Sequence, residues 1–79
     1  MEIKYFRLVK TIIEEGSIAN SSKKLFLSQS ALSHQLKELE HQLGYKVFYR
    51  TRNKWELTEE GVELYGSIIL LSYQILRLN

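Results

Sequence analysis

Apolar residues recur at helical spacing in several stretches of the chain, which predicts a mainly helical protein. The first predicted helix covers residues 2–15 and ends at Gly16, a residue that readily adopts the left-handed conformation of a helix end. Ser17 is a natural N-cap for a short second helix over residues 18–25. The positions of this helix that we expect to face inward are Ile18, Ser22 and Leu25.

A third helix follows after a tight turn, which we expect Phe26 and Leu27 to form and to be largely buried. Ser28 is placed as its N-cap and Gly44 as its end. One narrow apolar stripe runs along it: Leu32, Leu36, Leu39 and Leu43. Its opposite side is short, polar and without carboxylates before Glu38, and carries Ser30, Ser33, His34 and Lys37. Such side chains let a helix approach base edges, so residues 28–43 are predicted to be a recognition helix for the major groove.

The pattern changes after Gly44. Along residues 45–50 two sets of side chains alternate as they would on the two faces of a strand, and aromatic and β-branched residues are frequent, which favours a β-strand. Residues 55–57 suit a return strand. Asn53 in the connection is best able to accept a left-handed conformation. Thr58 is placed as the N-cap of a last helix that continues to about Leu78.

Two helices joined by so short a turn form a helix-turn-helix, and a hairpin after them gives the winged form. The predicted fold class is therefore mainly α with a small β-hairpin, a three-helix core plus wing followed by a long C-terminal linker or dimerisation helix. We expect a DNA-binding domain over residues 1–58, with the helix-turn-helix at about 18–37 and the wing at about 46–57. Residues 59–79 are expected to be the linker and dimerisation helix.

Composition narrows the class of protein. A chain of 79 residues is one small domain near the lower limit for an independent core, and 44% hydrophobic residues indicate a globular one. The absence of cysteine excludes disulfides and thiolate metal sites and fits a cytoplasmic location. The apolar stretch at residues 64–78 is shorter than the ~20 residues needed to span a bilayer, so we expect no membrane association.

Charge is unevenly distributed although the net charge is only +2. A basic stretch, which contains Lys46, Arg50, Arg52 and Lys54, is followed directly by the acidic residues Glu56, Glu59, Glu60 and Glu63. Contact of one face with a polyanion would account for this pattern, and a solvated, charge-rich turn accounts for it equally well.

The run EEGSIANSSKKLFLSQSALSHQLKELEHQLGYKVFYRT, followed by LTEEG, resembles the N-terminal domain of LysR-type bacterial transcriptional regulators. The resemblance covers nearly the whole chain and departs from the family at a few positions. His34 stands where a basic residue is usual and Ser30 where proline is common, and the hairpin tip is not glycine-rich. These regulators also carry a larger C-terminal effector-binding domain, which we expect to be absent from this chain because it stops at Asn79.

The predicted DNA-binding residues lie on the third helix, where the resemblance places the DNA-reading positions, and on the wing, where the cations would clamp the phosphates. They are Ser28, Gln29, Ser30, Ser33, His34, Lys37, Arg50, Arg52, Asn53 and Lys54. Gln29 can offer an amide to adenine, and His34 can donate to guanine or to a phosphate. Arg52 or Asn53 would reach an adjacent minor groove. Alternatively, the serines merely cap the helix and Arg50 pairs with a carboxylate to hold the hairpin.

The last helix carries two apolar stripes, and a domain this small cannot bury both. We expect one stripe to cover the core of the domain: Val62, Tyr65, Ile69, Tyr73 and Leu76. The other follows heptad-like steps and is expected to be the dimerisation surface: Leu64, Ile68, Leu71, Ile75 and Leu78. The resemblance implies a homodimer in which this helix packs antiparallel on a second copy. Alternatively, a C-terminal domain covers this stripe.

Sequence-specific binding of double-stranded DNA is therefore the function that the chain predicts. The alternative is a helical protein-interaction module that uses the apolar face of the last helix. His34 and His41 would stand about 10 Å apart along one helix, too far to share a metal ion. No nucleophile and base form a recognisable set and no glycine loop could hold a phosphate, so we expect neither an enzyme nor a cofactor.

Overall fold

The computed structural model describes residues 2–51 and 54–78, with side chains described as far as residue 74. It contains, in chain order, α1 (Ile3–Glu15), α2 (Ile18–Leu25), α3 (Gln29–Leu43), β1 (Phe48–Thr51), β2 (Lys54–Leu57) and α4 (Glu59–Leu78). The two strands pair antiparallel into a single hairpin. The predicted fold class, a three-helix core with a wing and a long last helix, is confirmed.

Serine caps and glycine ends set the helix boundaries as predicted. The side-chain oxygens of Ser17 and Ser28 each accept a hydrogen bond from the backbone N–H three residues further on, at 3.1 and 3.0 Å. Gly16 and Gly44 adopt left-handed conformations, with φ of 74° and 80°, at the ends of α1 and α3. Because these signals act within a single turn of helix, the sequence alone is enough to place them.

The turn between α2 and α3 differs from the prediction at Phe26. This side chain, expected to be buried, is 95% exposed, whereas Leu27 packs partly against the core. Phe26 has φ 56° and ψ 40°, and its N–H donates to the carbonyl of Lys23, while the N–H of Leu27 donates to that of Ser22. This left-handed C-cap reverses the chain direction, so that Phe26 projects from the turn and Leu27 points back.

The core joins three helices to the wing. Its buried apolar residues are Tyr5, Leu8, Val9, Ile12, Leu32, Leu36, Leu39, Val47, Phe48 and Ile68. The predicted leucine stripe of α3 therefore faces inward, with Leu43 partly buried at its end. The inward positions predicted for α2 are also confirmed, since Ser22 is buried and Ile18 and Leu25 pack partly against the core.

The first strand of the wing is shorter than predicted. It begins at Phe48 rather than at Tyr45, and Phe48 is paired with Leu57 across the hairpin. Val47 and Phe48 are both buried although they are neighbours, which a regular strand does not allow because successive side chains point to opposite faces. The segment before Phe48 is therefore an irregular connection that turns Val47 into the core.

Helix α4 turns a different face to the core from the one predicted. Ile68, expected at the contact with a second copy, is 2% exposed and belongs to the core, and Leu64 packs partly against it. Val62, Ile69 and Tyr73, expected to cover the core, are 57, 41 and 60% exposed. The prediction of which stripe faces inward was therefore wrong.

Gly61 explains which face of α4 is inward. A Cβ atom at this position would collide with the carbonyl oxygen of Val47, so α4 approaches the connection before the wing most closely here. Residues three, four and seven positions further lie on the same side of the helix. This placement brings Leu64 and Ile68 inward, together with Tyr65, for which the inward prediction holds.

An apolar surface remains uncovered on the described part of α4. We call it the outer face of α4; its exposed apolar residues are Val62, Ile69, Leu70, Leu71 and Tyr73. Of the residues in the predicted dimerisation stripe whose side chains are described, Leu71 alone is exposed, at 43%. The side chains of Ile75 and Leu78, from the same stripe, and of Leu76 lie outside the described residues.

Candidate nucleic-acid interface

The N-terminal half of α3 exposes the polar flank that the sequence singled out. Gln29, Ser30, His34 and Lys37 are exposed, and Ser33 is partly buried. The opposite side of the helix is held in the core by its leucines. The helix thus presents short polar side chains and one cation to the surroundings, with no acidic residue in its first turn.

Ser28 has a structural role at the start of this flank. Its hydroxyl accepts a hydrogen bond from the N–H of Ala31, so the capping alternative holds for this residue. The exposed Gln29 and Ser30 make no side-chain hydrogen bond among those described. Their polar groups are consequently available to a partner at the N-terminal end of α3.

His34 is linked through Glu38 to the interior of the domain. Its Nε2 atom lies 2.8 Å from Oε1 of Glu38, one helical turn away. The other oxygen of Glu38, Oε2, accepts a hydrogen bond of 3.2 Å from the hydroxyl of Tyr5 in α1. That hydroxyl in turn accepts a hydrogen bond of 3.4 Å from Nε2 of Gln42. The residue pattern does not reveal this chain of contacts, because Tyr5 and Glu38 are 33 positions apart in the sequence and only folding brings them together.

Arg50 packs on an aromatic ring of the wing. Its guanidinium carbon lies 5.8 Å from the ring centroid of Trp55, its partner across the hairpin, which is a cation–π contact. The ring of Phe48 in β1 also packs against the ring of Trp55, and the two ring centroids are 6.0 Å apart. The ion pairs found among residues 2–51 and 54–74 do not include Arg50, so the alternative in which a carboxylate holds it is not supported.

The remaining wing residues of the predicted site fall in two groups. Lys54 is exposed at the start of β2, where a cation can reach a polyanion. Arg52 and Asn53 lie outside the described residues, so their predicted contact with a minor groove stays a prediction.

The lysine pair of α2 is separate from the wing. Lys24 forms an ion pair with Glu15 at 3.6 Å, and Lys23 is exposed.

A cleft of about 350 Å³ separates α3 from the wing. It is lined by Ser33, Leu36, Lys37, Glu40, Lys46, Phe48, Tyr49, Arg50 and Trp55. Three of these residues are cations and one is an acid. Nε1 of Trp55 is buried and has no hydrogen-bond partner among the described residues. Trp55 lies in the predicted return strand, but the residue pattern does not indicate that its side chain lines a cleft.

Glu40 holds the wing in place relative to α3. Its Oε2 atom accepts hydrogen bonds from the backbone N–H groups of Val47 and Phe48, at 2.7 and 3.3 Å. Thr58 closes the other side, since its N–H donates to the carbonyl of Val47 and its hydroxyl accepts from Gly61. The carboxylate of Glu40 therefore has a structural role, because its negative charge is bound by backbone N–H groups rather than left free to repel a polyanion in the cleft.

Tyr49 lies on the opposite face of the hairpin from Arg50 and Trp55. The hydrogen bond of its hydroxyl with Glu56, its partner in the strand register, and the negative charge of that carboxylate raise the pKa of Tyr49 above its ordinary value. The phenol therefore stays neutral over the whole physiological range, and because its proton is directed to Glu56, its oxygen can act as an acceptor at the edge of the cleft.

Among residues 2–51 and 54–78, no group of three or more histidine, cysteine, aspartate or glutamate residues could hold a metal ion. None of the described helices has the length and apolar character that a membrane crossing requires.

A three-helix core that exposes the polar flank of its third helix, beside a hairpin that bears cations, defines a winged helix-turn-helix protein. The sequence profile of the family described as "Bacterial regulatory helix-turn-helix protein, lysR family" matches residues 3–62. The chain belongs to this family.

The sequences of similar proteins support membership of this family. A probable RuBisCO transcriptional regulator of Emiliania huxleyi is 47% identical over 55 residues, which are 70% of this chain and 18% of that protein. The HTH-type transcriptional regulator MetR of Buchnera aphidicola is 39% identical over 61 residues, 77% of this chain and 20% of that protein. The chain thus spans about a fifth of the length of these relatives.

A solved structure resembles the whole fold. The BenM_DBD/benA site 1 DNA complex superposes with a TM-score of 0.86 at 29% sequence identity, covering 99% of this chain and 91% of that one. The similarity extends over α4, which the family profile does not cover beyond residue 62.

Proposed function

We propose that this chain binds double-stranded DNA sequence-specifically, as the DNA-binding part of a transcriptional regulator. The observation that carries the proposal is the exposed flank of α3, whose polar side chains stand on a helix that the core holds rigidly. Such a helix fits the major groove, where base edges differ in their donors and acceptors. Membership of a regulatory family and the likeness to a DNA complex support the same function.

The residues of the interface divide by role. Base edges are read by Gln29, Ser30, Ser33 and His34, at the N-terminal end of α3. The cations Lys37 and Arg50, which line the cleft, and the exposed Lys54 contact phosphates. Arg52 and Asn53 at the wing tip reach the adjacent minor groove. Ser28 contributes through the helix cap that it forms.

The protein acts as a homodimer through α4. The outer face of α4 supports this proposal, because exposed apolar residues at this density are typical of an interaction surface. In this contact the exposed Ile69, Leu71 and Tyr73 replace Ile68, which is buried in the core. Two copies would then address half-sites separated by whole turns of DNA.

The same surface favours a second candidate function. A helical interaction module would use the outer face of α4 to bind another protein, with the basic wing incidental. The DNA-binding proposal also implies a binding role without catalysis and a cytoplasmic location, with which a chain without disulfides is compatible.

Titration of labelled duplexes separates the two candidates. The wild-type chain is titrated at two salt concentrations with duplexes selected from a random pool and with unrelated duplexes of equal length. DNA-specific binding predicts a preference for the selected duplexes that persists at the higher salt. Binding that disappears at higher salt without any preference would contradict the proposal and favour the interaction module.

His34→Ala tests the reading role within that assay. Loss of a base contact lowers the affinity for the selected duplex by about three- to tenfold and leaves the unrelated duplex nearly unchanged. His41→Ala, at an exposed histidine near the end of the same helix, is the matched control and should change neither affinity. An equal loss on both duplexes would make His34 a phosphate contact instead.

A further inference from the structure

Glu38 connects His34 to the interior of the domain. Its two carboxylate oxygens are engaged on opposite sides, Oε1 at 2.8 Å from Nε2 of His34 and Oε2 at 3.2 Å from the hydroxyl of Tyr5. Tyr5 is only 1% exposed, so the carboxylate is anchored to the core although Glu38 itself is partly exposed. His34, with 74% of its side chain exposed, stands at the outer end of this chain.

The proton positions in this chain follow from the donors and acceptors. The amide Nε2 of Gln42 can only donate, so the hydroxyl of Tyr5 accepts from it and directs its own proton to Glu38. An ionised carboxylate can only accept, so Nε2 of His34 must carry the proton that it shares with Oε1. In a neutral imidazole one nitrogen is the donor and the other the acceptor. The Nδ1 atom of neutral His34 is therefore an acceptor.

We propose that Glu38, anchored by Tyr5, is a positioning residue that determines specificity by selecting the tautomer of His34. The inference rests on the proposed function. With Nδ1 as an acceptor, neutral His34 reads an amino group in the major groove, which adenine N6 and cytosine N4 provide. When the ring is protonated, Nδ1–H becomes a donor and reads guanine N7 or O6 instead. His34 therefore selects different bases in its two charge states.

Glu38 is the ion-pair partner that the described residues provide for His34, at 2.8 Å. Because neutral and protonated His34 differ in what Nδ1 offers, the base that α3 reads depends on whether this nitrogen carries a proton.

Selection from a randomised duplex pool tests the inference. The position that His34 reads is the one whose preference disappears in His34→Ala. We expect the wild-type chain to select adenine or cytosine at that position at about pH 8. Guanine at that position, with sequence preference otherwise intact, would overturn the inference.

Glu38→Gln provides the sharper variant. The hydroxyl of Tyr5 still donates its proton, so the new amide turns its oxygen to Tyr5 and its NH₂ group to His34. Nε2 of His34 then accepts, and Nδ1 carries the proton in the neutral ring. We expect this variant to select guanine at about pH 8, where the wild type selects adenine or cytosine. Glu14→Gln, at an exposed glutamate of α1 that pairs with Lys10, is the matched control and should select as the wild type does.

Tyr5→Phe tests the anchor without touching the surface. Loss of the hydroxyl frees Glu38, and the preference at the position of His34 falls by about three- to tenfold, while affinity for unrelated duplex is unchanged. Tyr65→Phe is its control, and thermal unfolding monitors the stability of both. Sequence preference that is identical in wild type, Glu38→Gln and Tyr5→Phe would overturn this inference alone. A wild-type chain without any sequence preference would overturn the proposed function and this inference with it.

Discussion

Gly61 shows how much one residue can contribute to this fold. A Cβ atom there would collide with the carbonyl oxygen of Val47 and would lie 3.0 Å from Cδ2 of Leu57. Val47 has little freedom to move away, because its N–H donates to Glu40 and its carbonyl accepts from Thr58. The close approach of α4 to the wing therefore depends on a residue without a side chain.

Alanine substitutions at two glycines of α4 should have opposite effects. We expect Gly61→Ala to lower the free energy of unfolding by about 1–3 kcal/mol or more, because the backbone of Val47 must shift. Gly66→Ala should raise it by about 0.5–1 kcal/mol, since no atom lies within 4 Å of the added Cβ and alanine favours a helix. Urea unfolding measures both. Equal effects of the two substitutions would contradict the proposed contact.

At the scale of elements, the position of the wing relative to α3 is set by hydrogen bonds and by aromatic packing. Glu40 ties the end of α3 to the backbone that enters β1, and Phe48 and Trp55 fill the space beneath the hairpin. Arg50 is carried on this platform at the edge of the cleft. The position of the wing relative to the exposed flank of α3 is therefore fixed by contacts within the domain itself.

Glu40→Ala should loosen the wing. The N–H of Val47, a residue with no exposed surface, would lose its partner, which costs about 1–3 kcal/mol of unfolding free energy. Amide hydrogen exchange at Val47 and Phe48 should become faster than in the wild type. Glu14→Ala, at an exposed helix position, is the control and should change stability by less than about 0.5 kcal/mol. Unchanged exchange at Val47 would refute the role of Glu40.

Arg50→Ala should change the salt dependence of DNA binding. Each phosphate contact contributes about 0.9 to the slope of log affinity against log salt concentration, so the slope should fall by about that amount. Lys24→Ala removes an equal charge that is paired with Glu15 on another part of the surface, and should leave the slope unchanged. Fluorescence anisotropy at four or so salt concentrations measures both. The same slope in both variants would place Arg50 outside the interface.

At the scale of the whole molecule, the outer face of α4 is the surface that the domain cannot cover by itself. Small domains bury a limited fraction of their apolar residues, and α4 is apolar on more than one side. The inner side completes the core through Ile68, and the outer side carries the exposed Leu70, Leu71 and Tyr73. A second copy that packs on this side would remove it from water.

A charge on the outer face should separate the proposed dimer. We expect Leu71→Glu to give a monomeric mass by light scattering and weaker binding to a two-site duplex, because an unpaired carboxylate is costly in an apolar contact. Ile3→Glu makes the same kind of change at an exposed isoleucine of α1 and should leave the mass unchanged. A mass that Leu71→Glu does not alter would remove this side of α4 from the interface.

Sequence reasoning succeeded where the governing interactions are local. The caps at Ser17 and Ser28 and the glycine ends act within one turn, so the helix boundaries could be predicted closely. The leucine stripe of α3 has a single apolar side, so its inward face and the exposed flank with His34 followed directly. Most of the described candidate site is therefore visible in the residue pattern.

The sequence by itself determined the element order, the helix ends, the face that α3 exposes and the family of the chain. Only the tertiary structure decided which side of α4 faces inward, because a helix with apolar residues on several sides is oriented by what it meets, here Gly61 against Val47. It also decided the exposure of Phe26 and the partners of Glu38 and Glu40. The bonds from Glu38 to Tyr5 and from Glu40 to the wing need groups that only folding brings together, so residue spacing along the chain does not reveal them.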